Sequence, residues 1–353
     1  MKKFVIIMVS ITAVCLIAAV ALTALNQGNN LWDRSASEWE TVIESGANSV
    51  EQTQRASLPG TGDGFTVSVR SSSDNIQVHY GDEGEVRLHF HGTIRTTRRS
   101  TPEPILRMEE RSNGVSFWLD TPRIVGALFY SRNTVMDLYL PASYAGDLDL
   151  DASSGNIRVE GYSLDELTCE TSSGYVSMHH IDADRIDART SSGDIKAEGL
   201  SGGTFSAKAT SGSITGGDIA VGKIDLDTSS GDMRLNGVAG DIVANATSGR
   251  VEIEEITGAG TVNAETSSGD IQMSFAAMGP YLKCNTTSGS VKLWFPSDAA
   301  FGLDFDTSSG SFHSDFPVTM KKTERNSVEG YVESEDNEVR IETSSGDCRI
   351  NIR

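Results

Sequence analysis

The amino-acid sequence predicts an all-β protein, a parallel β-helix or solenoid of about ten coils, with two short strands in each coil of about 19 residues. Three observations carry this prediction. First, a Ser-Gly pair preceded by Thr or Ser returns at Gly155, Gly174, Gly193, Gly212, Gly231, Gly249, Gly269, Gly289, Gly310 and Gly346. The intervals are 19, 19, 19, 19, 18, 20, 20, 21 and 36 residues, a period that belongs to a repeat array. Second, the residue two positions after each glycine is apolar, from Ile157 and Val176 to Phe312 and Cys348. Third, apolar residues also stand seven and five positions before it, as in Leu148 and Leu150, with a mostly polar column between. Alternation of period two on both sides of the glycine means strands with one buried face.

Stacked coils pair each strand with its equivalents about 4.8 Å above and below, so the apolar columns enclose a thin core. Ser-Gly then marks the corner of every coil. Glycine is expected to supply a backbone angle closed to other residues, and the serine hydroxyl to bond nearby amides. Only Ala or Thr stands three positions before the glycine, from Ala152 and Thr171 to Thr343, a column in which Thr is expected to pair with Thr of the next coil. Along the outward columns acids alternate with neutral residues (Asp149, Thr168, Asp187, Ser206, Asp225, Val243), while Glu170 faces Arg189 and Lys208 faces Asp227. This pattern avoids stacking like charges.

Met1-Lys2-Lys3 precedes an uncharged run from Phe4 to Leu25, long enough as a helix to cross roughly 30 Å of hydrocarbon. Lysines before it and acids after it set the N-terminus in the cytoplasm and the rest of the chain outside, so residues 1–25 read as a single-pass membrane anchor. The competing reading is a signal peptide cleaved near Ala19-Val20-Ala21. Residues 26–62 read as a stalk or linker, with Trp32, Ala36, Trp39 and Ile43 at helical spacing. Residues 63–147 read as an N-terminal β cap and first coils, covering one end of a solenoid that occupies 148–353. The final interval holds an excursion at about 314–338, read as a hairpin inserted in a coil. It carries Lys321, Lys322 and Arg325, and reads as a solvated loop.

A formal net charge of −20 argues against nucleic acid or an anionic membrane surface as partner, since both require a basic face. No Gly-x-Ser-x-Gly elbow, phosphate loop or His-Glu-x-x-His is present. Asp194, Asp232 and Asp270 follow corner glycines in alternate coils, hence about 9.6 Å apart, the far edge of the spacing in inverting glycosidases. The same Gly-Asp recurs at Asp347 and suits a turn, so the structural reading is preferred to catalysis. Such corners also offer calcium-type oxygens, but the nine-residue calcium repeat is absent, and no cofactor or metal is assigned. His79, His89 and His91 lie on strand-like runs without zinc-type Cys/His spacing, and read as residues of an exposed face. Cys169 and Cys284 share an inward column about 29 Å apart and are expected as buried free thiols, while Cys348 lies in another column at the last coil, so no disulfide is expected among the three.

A strand ending in "DLYLP", recurrent "TSSGDI"-like turns and a final strand in "SSGDCRINIR" resemble the bacterial beta-strand-repeat family of "putative adhesin" domains, which includes LiaG-like membrane-anchored members. The resemblance spans roughly residues 64–353 and implies a β-helical extracytoplasmic domain, with no functional residue to carry over. The expected role is a non-catalytic adhesion or scaffold module displayed from the cell membrane through residues 4–25, with a cell-wall polymer or envelope protein as partner. Two alternatives stand beside it: an envelope-stress accessory protein that binds cell-wall material, and a glycan-active β-helix lyase or hydrolase.

Overall fold

The computed structural model describes residues 47–60, 63–96, 103–121, 130–258 and 260–353. The expected anchor and the first part of the expected stalk lie outside the described residues. Among the described residues every regular element is a β-strand, and no helix is long and apolar enough to cross a membrane. One unit comprises Ser49–Thr93, Pro102–Arg123 and Asn133–Arg353; the described residues of a second, smaller unit are the strand ends at 47–48, 94–96 and 130–132.

The first strands are β1 (Ala47–Ser57), β2 (Thr66–Ser71), β3 (Asn75–Tyr80), β4 (Glu85–Thr96), β5 (Ile105–Arg111), β6 (Gly114–Asp120) and β7 (Tyr130–Leu140). Thus the end of the segment read as stalk is a strand, β1, which pairs with β4 and buries Val50 and Ala56. The repeat proper begins with β8 (Asp147–Ala152), β9 (Ile157–Glu160) and β10 (Ser163–Thr171). It continues through the long strands β11 (Val176–Thr190), β12 (Ile195–Ala209), β13 (Ile214–Thr228) and β14 (Met233–Ala246). Shorter strands follow: β15 (Val251–Thr257), β16 (Thr261–Thr266), β17 (Ile271–Phe275), β18 (Tyr281–Thr286), β19 (Val291–Phe295), β20 (Phe301–Ser309) and β21 (Phe312–Ser314). The chain ends with β22 (Thr319–Glu324), β23 (Ser327–Val332), β24 (Glu338–Ser345) and β25 (Cys348–Ile352).

These strands build two walls on either side of the Ser-Gly corner. The leading wall, which runs into the corner, has the order β5–β6–β2–β8–β10, then the second halves of β11 to β14, then β16–β18–β24–β20–β23–β22. The trailing wall, which leaves it, runs β1–β4–β7–β3–β9, then the first halves of β11 to β14, then β15–β17–β19–β25–β21. Within the repeat the pairing is parallel and in register: Val176 lies opposite Ile195, Ile195 opposite Ile214, and Ile214 opposite Met233. The apolar columns are the core. Leu148, Leu167, Ile186, Phe205 and Ile224 are buried on the leading wall, and Ile157, Val176, Ile195 and Ile214 on the trailing wall.

Two expectations are corrected. Six successive coils have a third short side besides their two strands, because the chain bends through left-handed backbone at Gly161, His180, Gly199, Asp218, Gly237 and Glu255, with φ between 52 and 81°. Buried Ile181 and Ala183 line that side. A coil also precedes the first Ser-Gly pair, in the segment read as cap and first coils. β2 and β3 form a coil whose corner reads Ser71-Ser72-Ser73-Asp74, with Val67, Val69 and Ile76 in the inward columns. Finally, the coil of Gly346 is not last in space. β24 lies between β18 and β20, and β25 between β19 and β21, so the C-terminal coil sits between the coils of Gly289 and Gly310. This places Cys348 opposite Val291, one coil beyond Cys284, rather than at the end of the stack. The antiparallel hairpin β22–β23 pairs with β20 and covers the leading wall at that end.

Candidate functional site

The corner ladder shows what the repeated glycines do. None of the ten has positive φ, so the expected backbone-angle role is corrected. Their constraint is proximity: a Cβ on any of them would stand 1.7–2.0 Å from the carbonyl oxygen of the corner residue stacked before it. Except at Thr307, whose Oγ1 has no hydrogen-bond partner, the Thr column bonds back to the preceding corner's carbonyl instead of pairing with itself. Thr228 Oγ1 donates to the Gly212 carbonyl at 3.3 Å and accepts the Gly231 amide at 3.0 Å. Thr171 and Thr190 do the same one and two coils beyond Gly155. The serines contribute backbone: the Ser173 amide donates to the Ser153 carbonyl at 3.1 Å and Ser192 to Ser172 at 2.9 Å. Asp74 takes the glycine's place in the first coil, where its side chain turns to Ser71 Oγ at 2.7 Å and to Thr134 Oγ1.

The corner acids are engaged in the same ladder. Oδ1 of Asp194, Asp232, Asp270 and Asp347 accepts the amide of Ser213, Arg250, Ser290 and Ser311, respectively, at 2.8–3.0 Å. The Arg250 amide, with Arg234 adding, holds the Asp232 carboxyl below the usual carboxylate range. For Asp347 the hydroxyl and amide of Ser311 do so. These carboxylates therefore serve the neighbouring coil's turn, which is the structural role expected of them.

Outward residues of the trailing wall form two adjoining grooves. One, of about 320 Å³, is lined by Lys196, Glu198, Arg234, Asn236, Glu252 and Glu254, among others. The other, of about 240 Å³, shares Glu254 and continues through Gln272, Met273, Ser274, Trp294 and Arg353. Strand register explains the alignment: alternate residues of parallel in-register strands recur on the same face, coil after coil. Asn236 lies opposite Glu254, and Ser274 opposite Trp294. Both arginines of this floor are paired, Arg234 with Asp232 and Glu252, and Arg353 with Glu255. In the hairpin, Lys321 pairs with Glu335 at 2.5 Å and Lys322 with Glu324 at 3.0 Å, so two of the three cations of the basic loop are paired. On the leading wall Arg185 and Arg189 both reach Asp187.

The histidines of the N-terminal strands converge, which their sequence spacing did not show. His89 and His91 project from one face of β4, with rings stacked at 4.7 Å. Asp137 comes from the neighbouring β7 and His79 from β3 beyond it. His91 Nε2 donates to Asp137 Oδ2 at 2.8 Å and His79 Nε2 to Oδ1 at 3.0 Å. His89 Nε2 lies 3.3 Å from Glu51 Oε1 on β1. The ligand atoms of His89, His91 and Asp137 all lie within 4.8 Å of one another.

Stacked parallel coils, a shared Ser-Gly corner and buried apolar columns on two walls define a repeat β-solenoid domain. The chain belongs to the family described as Toastrack DUF4097, which it matches over residues 65–203 and 186–351. The first match begins at the coil of Asp74, one residue before β2. Similar solved structures include a "putative cell adhesion protein" from Clostridium sporogenes, 10% identical over 86% of this chain and 100% of its own, with a TM-score of 0.18. A "putative adhesin" from Bacteroides fragilis is 12% identical over 86% and 97%, with a TM-score of 0.33. A "putative lipid binding protein" from Parabacteroides distasonis is 12% identical over 85% and 96%, with a TM-score of 0.39. No curated protein matches the sequence.

Proposed function

We propose that this protein is a non-catalytic adhesion or scaffold module, displayed outside the cell from an anchor at residues 4–25, that holds a cell-wall polymer along its trailing wall. The groove there carries the reading. A linear polymer laid along the coil axis meets a new row of outward side chains about every 4.8 Å. Glu198, Asn236 and Gln272 offer hydrogen bonds along the way, and the partly exposed indole of Trp294 offers a flat apolar platform for a sugar ring. The net charge of −20 favours a neutral glycan over an anionic polymer. Amide-bonded corner carboxylates support holding rather than cleaving.

The test is co-sedimentation of the full-length protein with purified peptidoglycan, with saccharide analysis of the supernatant. Retention that falls at least about fivefold in Trp294→Ala is expected, since loss of a stacked aromatic anchor ranges upward from roughly 1 kcal/mol. Equal retention of the variant would remove the groove from the reading, and released saccharide would replace it with an enzyme.

A further inference from the structure

The histidine cluster at the N-terminal end of the trailing wall is separate from the polymer groove and takes no part in the corner ladder. We propose that it is a binding site for a divalent transition-metal ion of the zinc class, with His89, His91 and Asp137 as ligands and His79 as the residue that orients the carboxylate.

Three features of the site support a metal. The donor set is two imidazoles and a carboxylate, the nitrogen and oxygen ligands that zinc and its neighbours take, whereas calcium and magnesium favour oxygen alone. The spacing fits as well. Bonds of about 2.0–2.2 Å in a tetrahedron place ligand atoms roughly 3.3 Å apart, and His91 and Asp137 are already at 2.8 Å with His89 inside 4.8 Å. Small side-chain rotations bring the third atom in. Third, the carboxylate is held from behind, because His79 donates to Oδ1 while Oδ2 faces His91, the outer support that metal-binding carboxylates commonly have.

The electrostatics also fit a cation. Glu51 flanks His89 at 3.3 Å, and its exposed carboxylate adds negative charge beside the site. Arg87, two residues before His89 on β4, stacks its guanidinium over the Tyr139 ring at 4.0 Å from the centroid. The ligands come from strands whose residues are 46 apart in sequence, so a bound ion would fasten β7 to β4 and thereby the N-terminal strands to one another. Half-exposed His79 and His91 leave the site open to entry of the ion.

The experiment uses untagged full-length protein treated with chelator and titrated with Co²⁺ and then Zn²⁺. One Co²⁺ per chain is expected, with visible absorption that Zn²⁺ abolishes and that excess Ca²⁺ leaves unchanged. His91→Asn and Asp137→Asn should each weaken binding at least about tenfold, and His79→Gln by about 10- to 100-fold. His313→Asn, in the remote pair with Asp315, should bind as the wild type does. His89→Gln tests the same ligand set should His91→Asn fail to fold, and unfolding midpoints without metal show which variants are intact. Absence of the Co²⁺ spectrum in the wild type, or wild-type binding by the intact ligand variants, would overturn the proposal.

Discussion

Replacing Gly231 by alanine adds one methyl group where the stack has no room for it. Its Cβ would stand 1.8 Å from the carbonyl oxygen of Gly212 and 2.5 Å from the carbonyl carbon. Such contacts essentially never fall below 3.0 Å, so the two corners must part by about 1.2 Å, the difference between 1.8 and 3.0 Å. Neither atom belongs to a flexible side chain that can swing aside. Three bonds span this step: Ser230 amide to Thr210 carbonyl at 3.0 Å, Ile214 amide to Asp232 carbonyl at 3.0 Å, and Thr228 Oγ1 to Gly212 carbonyl at 3.3 Å. Parting carries all three beyond hydrogen-bonding reach. At about 0.5–1.5 kcal/mol each, the loss is about 1.5–4.5 kcal/mol, within the range that overpacking reaches. Gly302→Ala is the control: its Cβ meets nothing closer than 3.6 Å, so its effect should stay within about 1 kcal/mol of zero. Urea unfolding gives the total, and hydrogen exchange by mass spectrometry gives the place. Because each coil contacts mainly its neighbours, lost protection should centre on the corners at Gly212 and Gly249. An unchanged midpoint for Gly231→Ala, or one equal to that of Gly302→Ala, would refute the close-approach argument.

The Thr bridge gives a stabilising change: Ala246→Thr places a hydroxyl between the Gly231 carbonyl and the Gly249 amide, and should raise stability by about 1 kcal/mol in urea unfolding; a loss would mean that this corner lacks the geometry of the Thr228 corner. The corner acids set an acid limit. Asp347 has a depressed carboxyl in the folded state, so its contribution is present above the unfolded value of about 3.9 and disappears as pH falls through the folded value. Melting temperatures of wild type and Asp347→Asn should therefore differ at about pH 6 and converge toward about pH 2, and a gap independent of pH would contradict this sign. Burial pushes the thiols of Cys169, Cys284 and Cys348 up, Cys284 to about 12, so a thiol reagent at neutral pH should leave all three unmodified until the chain unfolds. Rapid native labelling of any of them would show that its inward column is open.

The sequence by itself determined the solenoid and its contents. The period set by the Ser-Gly glycines places equivalent residues over one another, and the apolar positions on either side of each glycine allow only one face of each strand to be buried. Burial of Ile195, Ile214 and Phe205 follows from that pattern alone. The coil at Asp74 was also written in the chain, since Val67, Val69 and Ile76 hold the inward columns. Its corner carries no Ser-Gly pair, and Asp74 turns its side chain there to Ser71 and Thr134. The order of the last coils left a fainter mark: acids follow the corner glycine in every second coil through Asp270, and that alternation continues past Ser290 only if Asp347 comes before Ser311. Tertiary structure alone decided the rest. Repeat periodicity records which residues share a column, yet inserting the coil of Gly346 between those of Gly289 and Gly310 changes no column and so leaves the apolar pattern untouched. The reason for the glycines was likewise hidden, because a carbonyl 1.8 Å from an absent Cβ belongs to another coil. The histidine cluster depends most on the fold. Its partners are 46 and 58 residues apart, and only the pairing of β4, β7 and β3 brings His91, Asp137 and His79 within hydrogen-bonding distance.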